Sequence, residues 1–271
     1  MRATFVHRAD LSAGNIQGHL TVIDHPGLND VPGAVPVVTP NWNPHGAGGV
    51  YNNHAVGAGY EWSTGRWTVV NLDGGSILDG ASFNVDVMWE GPDAYVHGAR
   101  PSNSAGNSTY LDHPALNGNP KAVVLATPVR HPTDSGFMNH CIGIWYSPSV
   151  GRWAVFNQDG AAMEENALFS VRALRETSPS LFVHRSSPAS AAGNASVIDH
   201  PAVNGDPDVL LLVTPNWNPY GLGGVFNDRP TGVWYDGTRG RWTVFNQDLI
   251  AMPADAAFNI EVLEPSGAFI R

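Results

Sequence analysis

The sequence predicts an all-β protein of three homologous repeats of about 88 residues, each a small β-sandwich or barrel, with one closed pseudo-threefold body or a propeller as the alternative. Three observations lead there. Phe5-Val6-His7 returns as Tyr95-Val96-His97 and Phe182-Val183-His184, and Ile23-Asp24-His25-Pro26 returns as Leu111-Asp112-His113-Pro114 and Ile198-Asp199-His200-Pro201. A further anchor, Gly65-Arg66-Trp67-Thr68-Val69-Val70-Asn71-Leu72-Asp73, recurs at residues 151–159 and 240–248 in the same register. Finally, only 14% of residues are charged, Gly and Pro number 30 and 21, and Lys121 is the single lysine. Periodic Lys, Glu, Ala and Leu runs are therefore missing, which excludes a helical bundle or coiled coil.

Taken in order, the first unit shows β-branched and aromatic runs cut by Gly, Pro, Asn and Asp, which predict strands near 3–7, 20–23, 35–39, 49–52, 66–71 and 82–87. Alternation sets Trp67, Val69 and Asn71 on one face and Arg66, Thr68 and Val70 on the other. Trp67, Trp153 and Trp242 recur in every copy and read as core. Glu90-Gly91-Pro92 and Thr177-Ser178-Pro179 mark the joints, which divides the chain into 1–91, 92–178 and 179–271. After the third unit, Gly267-Ala268-Phe269-Ile270 repeats the start of a unit, as in Asp93-Ala94-Tyr95-Val96. That fourth copy predicts a first strand used at both ends of a module or borrowed from its successor.

Charge and hydropathy exclude partners. A net charge of −10, a pI near 5.4 and no basic run argue against a nucleic-acid surface, where affinity comes from neutralising phosphates. No segment approaches the roughly 20 apolar residues of a membrane span, and residues 209–213 read as a buried strand. Residues 1–7 carry no apolar leader core, so a leader was removed before this numbering or never carried; a secreted or cell-surface location is favoured. A lone cysteine, Cys141, excludes an internal disulfide framework and cannot by itself hold zinc, so it reads as a small buried apolar side chain. No metal and no cofactor is expected.

The unusual chemistry lies in Thr39-Pro40-Asn41-Trp42-Asn43-Pro44 and its copy Thr214-Pro215-Asn216-Trp217-Asn218-Pro219. A Trp between two Asn on a Pro-bounded loop offers a ring face beside amide donors and acceptors, which suits the C–H face and hydroxyl edge of a sugar. Asn41, Trp42, Asn43, Asn216, Trp217 and Asn218, with Asn53 and Asp228 on nearby segments, are the candidate carbohydrate-binding residues. The alternative is structural: Asn favours turns, Pro ends strands, and a Trp plugs a barrel end. The second unit reads Thr127-Pro128-Val129-Arg130-His131-Pro132, so it is expected to be silent or to select another ligand through Arg130 and His131. Trp145-Tyr146 and Trp234-Tyr235 place two aromatics side by side on a strand, one of them outward or in an inter-unit contact.

The Asp-His-Pro triplets invite an acid–base or metal reading, but Asp before Pro caps turns and no ligand spacing accompanies them. Asp73, Asp159 and Asp248 lack the alternating oxygen ligands of a calcium loop. No catalytic elbow, phosphate loop, dinucleotide fingerprint or His-Glu-x-x-His is present.

The Thr-Pro-Asn-Trp-Asn-Pro, Gly-Val-Trp-Tyr and Arg-Trp-x-Val-Phe-Asn-Gln-Asp segments resemble an uncharacterised bacterial β module that occurs in tandem; the likeness covers all three units and implies tandem architecture. The architecture is also similar to that of bacterial and fungal repeat lectins, without the Gln-x-Trp signature of the ricin-type trefoil. Catalysis needs one assembled site, whereas binding gains avidity from several, so triplication favours a multivalent, non-catalytic lectin with glycans as partners. A structural or protein-interaction repeat of a cell surface or particle is the alternative, and a glycoside-processing enzyme ranks third.

Overall fold

In a computed structural model the protein is described over residues 2–130, 138–175 and 177–265. Unit 1 contains β1 (Arg2–Arg8), β2 (Ile16–Gln17), β3 (Leu20–Ile23), β4 (Ala34–Pro40), β5 (Val56–Glu61), β6 (Arg66–Asn71) and β7 (Ser82–Trp89). Unit 2 repeats them as β8 (Ala94–Gly98), β9 (Ser104–Ala105), β10 (Ser108–Tyr110), β11 (Val123–Arg130), β12 (Ile142–Ser147), β13 (Arg152–Asn157) and β14 (Leu168–Leu174). Unit 3 gives β15 (Leu181–Arg185), β16 (Ala191–Ala192), β17 (Ala195–Val197), β18 (Leu210–Pro215), β19 (Thr231–Asp236), β20 (Arg241–Asn246) and β21 (Ala257–Leu263). Among the described residues the helical segments are two 3-10 turns, Pro44–Gly46 and Pro219–Gly221, and no helix is long and apolar enough to cross a membrane.

Each unit is a β-sandwich. A three-stranded antiparallel sheet, β1-β7-β4 in unit 1, faces a four-stranded one, β2-β3-β6-β5, and the same orders recur in the other units. The cores are separate clusters centred on Trp67, Trp153 and Trp242, whose indole N–H groups donate to the carbonyls of Val31, Asn119 and Asp206 at 2.8–2.9 Å. The core reading of these three tryptophans therefore stands. In β7, Phe83, Val85 and Val87 enter the sandwich, as period-two alternation requires. The opposite face of β7 is buried too, because it meets the other units.

The three sandwiches close on one another in a ring. The edge strand β5 of unit 1 pairs in parallel with β11 of unit 2, through Ala58 with Val129 and Gly59 with Arg130. Equivalent bridges join Ile144 of unit 2 to Asn216 of unit 3, and Val233 of unit 3 to Asn41 of unit 1. The interior between units is a small apolar cluster of Val6, Val37, Leu125, Leu210, Leu212 and Leu263. Beside it, three equivalent threonines link the units cyclically: Val38 N donates to Thr127 Oγ1, Ala126 N to Thr214 Oγ1 and Val213 N to Thr39 Oγ1, all at 2.9–3.0 Å. The architecture thus combines two of the expected alternatives, sandwiches within the units and a closed pseudo-threefold body among them.

Two expectations change. Residues 49–52 do not form a strand; that segment folds back over the Asn-Trp-Asn loop so tightly that a Cβ on Gly49 would lie 1.2 Å from the Trp42 carbonyl oxygen. The strand falls at β5 instead. Nor is a first strand borrowed between units, since β1, β8 and β15 pair with β7, β14 and β21 of their own units. Residues 267–270, the fourth copy of that strand, lie outside the described residues.

Candidate binding site

The four loop asparagines are interior. Asn41, Asn43, Asn216 and Asn218 are all buried. Asn43 Nδ2 donates to the Tyr235 carbonyl at 2.8 Å and its Oδ1 accepts from Tyr235 N at 2.7 Å; Asn218 clamps Tyr146 the same way, at 2.7 Å in both directions. Asn41 and Asn216 bond Asn84 and Asn259 of their own units. Asn43 and Asn218 therefore hold the ring closed, Asn41 and Asn216 brace their own units, and none of the four is presented to a ligand, which corrects their assignment as sugar-binding groups.

The tryptophans between them do reach a surface. Trp42 packs edge-on against Trp234 of unit 3, with centroids 6.2 Å apart, and tilts over Tyr51 at 5.8 Å, which in turn meets Phe245 at 6.0 Å. These four rings, with Ala192, Asn194, Ala195, Val197, Arg239 and Thr243, line a cleft of about 220 Å³ between units 1 and 3. Arg239 is held by Asp236 at 2.9 Å. The unit 2–unit 3 copy repeats the rings, Trp217 on Trp145 at 6.3 Å and Phe226 on Phe156 at 5.9 Å. Here, however, Tyr110 stands in the register position of Val197 and reaches Trp145 at 6.1 Å, and Ser108 stands in that of Ala195. Trp42 Nε1 and Trp217 Nε1 are buried without a hydrogen-bond partner among the described residues. The second of each adjacent aromatic pair, Tyr146 or Tyr235, is core; the first, Trp145 or Trp234, makes the inter-unit contact.

The unit 1–unit 2 interface has no Trp pair. The register places Arg130 where the other loops have Trp, against Gly59 where the other strands have Trp145 and Trp234, and Arg130 pairs with Glu61 at 3.1 Å. Trp62, 63% exposed, meets Tyr60 nearby at 5.0 Å. His131 lies outside the described residues.

Asn53 and Asp228 are exposed and do not line the aromatic cleft. They adjoin His54 and Arg229, which with His140 rim a second cavity, of about 70 Å³, where the three units meet. Pro40, Pro128 and Pro215 line it. Each rim base leans on a carboxylate: His54 on Asp73 and His140 on Asp159 at 2.6 Å, Arg229 on Asp248 at 3.1 Å. Partial desolvation of its carboxyl by the surrounding chain raises Asp228, and the nearby Asp159 adds to it. Burial also pushes the Cys141 thiol up to about 12, with the negative charge of Asp228 reinforcing it, so this thiol is an unreactive lining group.

The Asp-His-Pro triplets are turns that buttress the sandwiches. His25, His113 and His200 stack on Phe5, Tyr95 and Phe182, and Asp24, Asp112 and Asp199 accept from Asn29, Asn117 and Asn204 at 2.7–2.8 Å. No group of three or more His, Cys, Asp and Glu suited to a metal ion occurs among the described residues. Trp234 was visible as an aromatic pair in the sequence, but Asn194, Arg239 and Phe245 come from a different unit than Trp42, and only their shared register with Asn107, Val150 and Phe156 could have singled them out.

Against known families, the chain matches the model described as a domain of unknown function (DUF7452) three times, over residues 1–87, 57–173 and 143–262. No curated protein and no solved structure matches it. The second and third matches begin within the strand pair β5–β6, or its copy β12–β13, of the preceding unit.

Proposed function

We propose, from the premise that this chain belongs to the DUF7452 family, that it is a non-catalytic binding protein whose cleft between units 1 and 3 takes a carbohydrate. One observation carries the reading: four aromatic rings and the polar groups of Asn194 and Arg239 converge on a cleft of about 220 Å³. Apolar ring faces suit the C–H surface of a pyranose, and the few polar groups orient its hydroxyls. The binding site is composite, so it exists only while the ring is closed. Shallow stacking and a few hydrogen bonds imply weak affinity, near the millimolar end of the scale.

A glycan array with the whole chain tests this. Binding by the native protein, lost in Tyr51→Ala without a change in melting temperature, supports the reading; an array without signal overturns it. Tyr51 is suitable because its ring is half exposed and lines the cleft, while Asn43 and Asn52 supply hydrogen bonds that join units 1 and 3. A second reading, a protein-interaction repeat, draws on Tyr220, Leu222 and Phe226, which expose apolar surface along the unit 3 loop.

A further inference from the structure

The two aromatic clefts are copies of one arrangement in which Tyr51, Ala195, Val197, Arg239 and Thr243 of the first stand where the second has Phe226, Ser108, Tyr110, Val150 and Ala154, and the Ala195 and Val197 differences together define a ligand. Between units 2 and 3, Ser108 Oγ accepts from Trp145 Nε1 at 3.1 Å and donates to Asn107 Oδ1 at 3.1 Å. Two residues on, the Tyr110 ring lies against Trp145. Between units 1 and 3 the register substitutes Ala195 for Ser108 and Val197 for Tyr110, while Trp234 and Asn194 keep the places of Trp145 and Asn107. Asn194 Nδ2 still donates to the Asn246 carbonyl at 2.8 Å, as Asn107 Nδ2 does to Asn157 at 2.9 Å. At these two positions the first cleft lacks one hydroxyl and one six-membered ring. What remains is a cavity, with Trp234 Nε1 and Asn194 Oδ1 lacking hydrogen-bond partners among the described residues.

We infer that the ligand of the first cleft carries a ring-borne hydroxyl that takes the place of the Ser108 hydroxyl, accepting from Trp234 Nε1 and donating to Asn194 Oδ1, with its ring in the space that Tyr110 fills in the sister cleft. In the second cleft Ser108 and Tyr110 already occupy those places, so the chain binds one ligand. A hydroxyl is the group that fits, because it accepts and donates through one atom; a carboxylate or ether serves only the indole N–H, and an ammonium serves only the amide oxygen. Arg239, fixed by Asp236, supplies further donors for neighbouring hydroxyls. This inference rests on the binding reading and narrows it, replacing two equivalent Trp42 and Trp217 sites by one.

The test follows the indole N–H resonances of the whole chain by NMR, with Trp42, Trp145, Trp217 and Trp234 assigned through single Trp→Phe variants. Methyl β-glucopyranoside, methyl α-mannopyranoside, methyl β-galactopyranoside and p-cresol are titrated separately. The expected result is a saturable shift of the Trp234 resonance with Trp145 unmoved. Ala195→Ser, which adds only a hydroxyl, should weaken binding about tenfold or more, and Asn194→Ala about fivefold or more. Conversely, Ser108→Ala with Tyr110→Val should move Trp145 and raise the stoichiometry from one to two. Unchanged affinity in Ala195→Ser, or a native Trp145 that responds like Trp234, overturns the inference while leaving sugar binding intact. Binding of p-cresol alone overturns the carbohydrate reading and keeps the hydroxyl placement; no binding by any probe overturns both.

Discussion

At the scale of the residue, the histidines of the Phe-Val-His anchors show how repetition can mark structure and not chemistry. His7, His97 and His184 each place Nε2 2.8 Å from a hydroxyl, of Thr21, Thr109 and Ser196, and burial lowers each to about 4. Their effect on stability has a definite sign. Between pH 6.5 and about 4 the unfolded chain binds protons that the folded chain refuses, so stability falls as the pH falls through that window and this contribution is spent below it. Each histidine contributes on the order of 1–3 kcal/mol to that loss. Thermal melts between pH 7 and 4 should therefore show a steadily falling midpoint, and His7→Gln should reduce the slope by about a third. A flat profile down to pH 4 would show that these rings are not held neutral. The depressed carboxyls, Asp73 sustained against burial by its bond to His54 and Asp159 by bonds from the Ala161 N–H and His140, add their losses only on stronger acidification.

At the scale of the element, the Asn-Trp-Asn loop is a clamp first. Asn43→Ala would leave the Tyr235 N–H and carbonyl of β19 unpaired in a buried place, which costs about 2–4 kcal/mol. Melting should drop by several degrees, with Asn218→Ala behaving alike at the other interface. If Asn43→Ala instead lost ligand and kept its melting temperature, the amide would be a binding group after all. The same loop shows what was legible and what was not. Strands β1, β3, β4, β6 and β7 were visible because each carries an unbroken β-branched or aromatic run in three registers. β5 was missed because Val56-Gly57-Ala58-Gly59 has little strand character, its glycines being required by close neighbours, the Pro128 carbonyl 2.7 Å from a Cβ on Gly57 and Thr68 at 3.1 Å from one on Gly59. The Trp of the loop reaches a cleft, while its asparagines turn inward, and no local pattern reveals that an amide will meet the backbone of another unit. Asn194 and Ala195 were out of reach for the same reason: they matter only by comparison with Asn107 and Ser108.

For the whole molecule, closing three like units on an axis creates a problem that the sequence solves by difference. Equivalent positions in β7, β14 and β21 face one another there, and three identical charges would repel while three identical polar groups would lack partners. The chain places Asp86, Arg172 and Glu261 at that position. Arg172, 2% exposed, bridges both acids, with Nη2 2.9 Å from Glu261, and Arg2 at the margin contacts Asp86 and Glu261 at 2.8 Å, which leaves the group neutral. Buried ion pairs gain little net stability over apolar packing, because desolvation offsets the attraction. Removing one partner is different: Arg172→Met strands two buried carboxylates with Arg2 alone, so it should cost about 3–5 kcal/mol and lower the melting temperature by roughly 10 °C. Replacing all three, with Asp86→Leu and Glu261→Met added to Arg172→Met, should recover most of that loss, since the neighbouring layer of Val37, Leu125 and Leu212 is already apolar. If the triple variant melted as low as Arg172→Met alone, the charges would be contributing stability outright. Recovery would assign them another part, that of admitting only an arrangement in which three different units meet, and would explain why three copies of one sequence had to diverge where they touch.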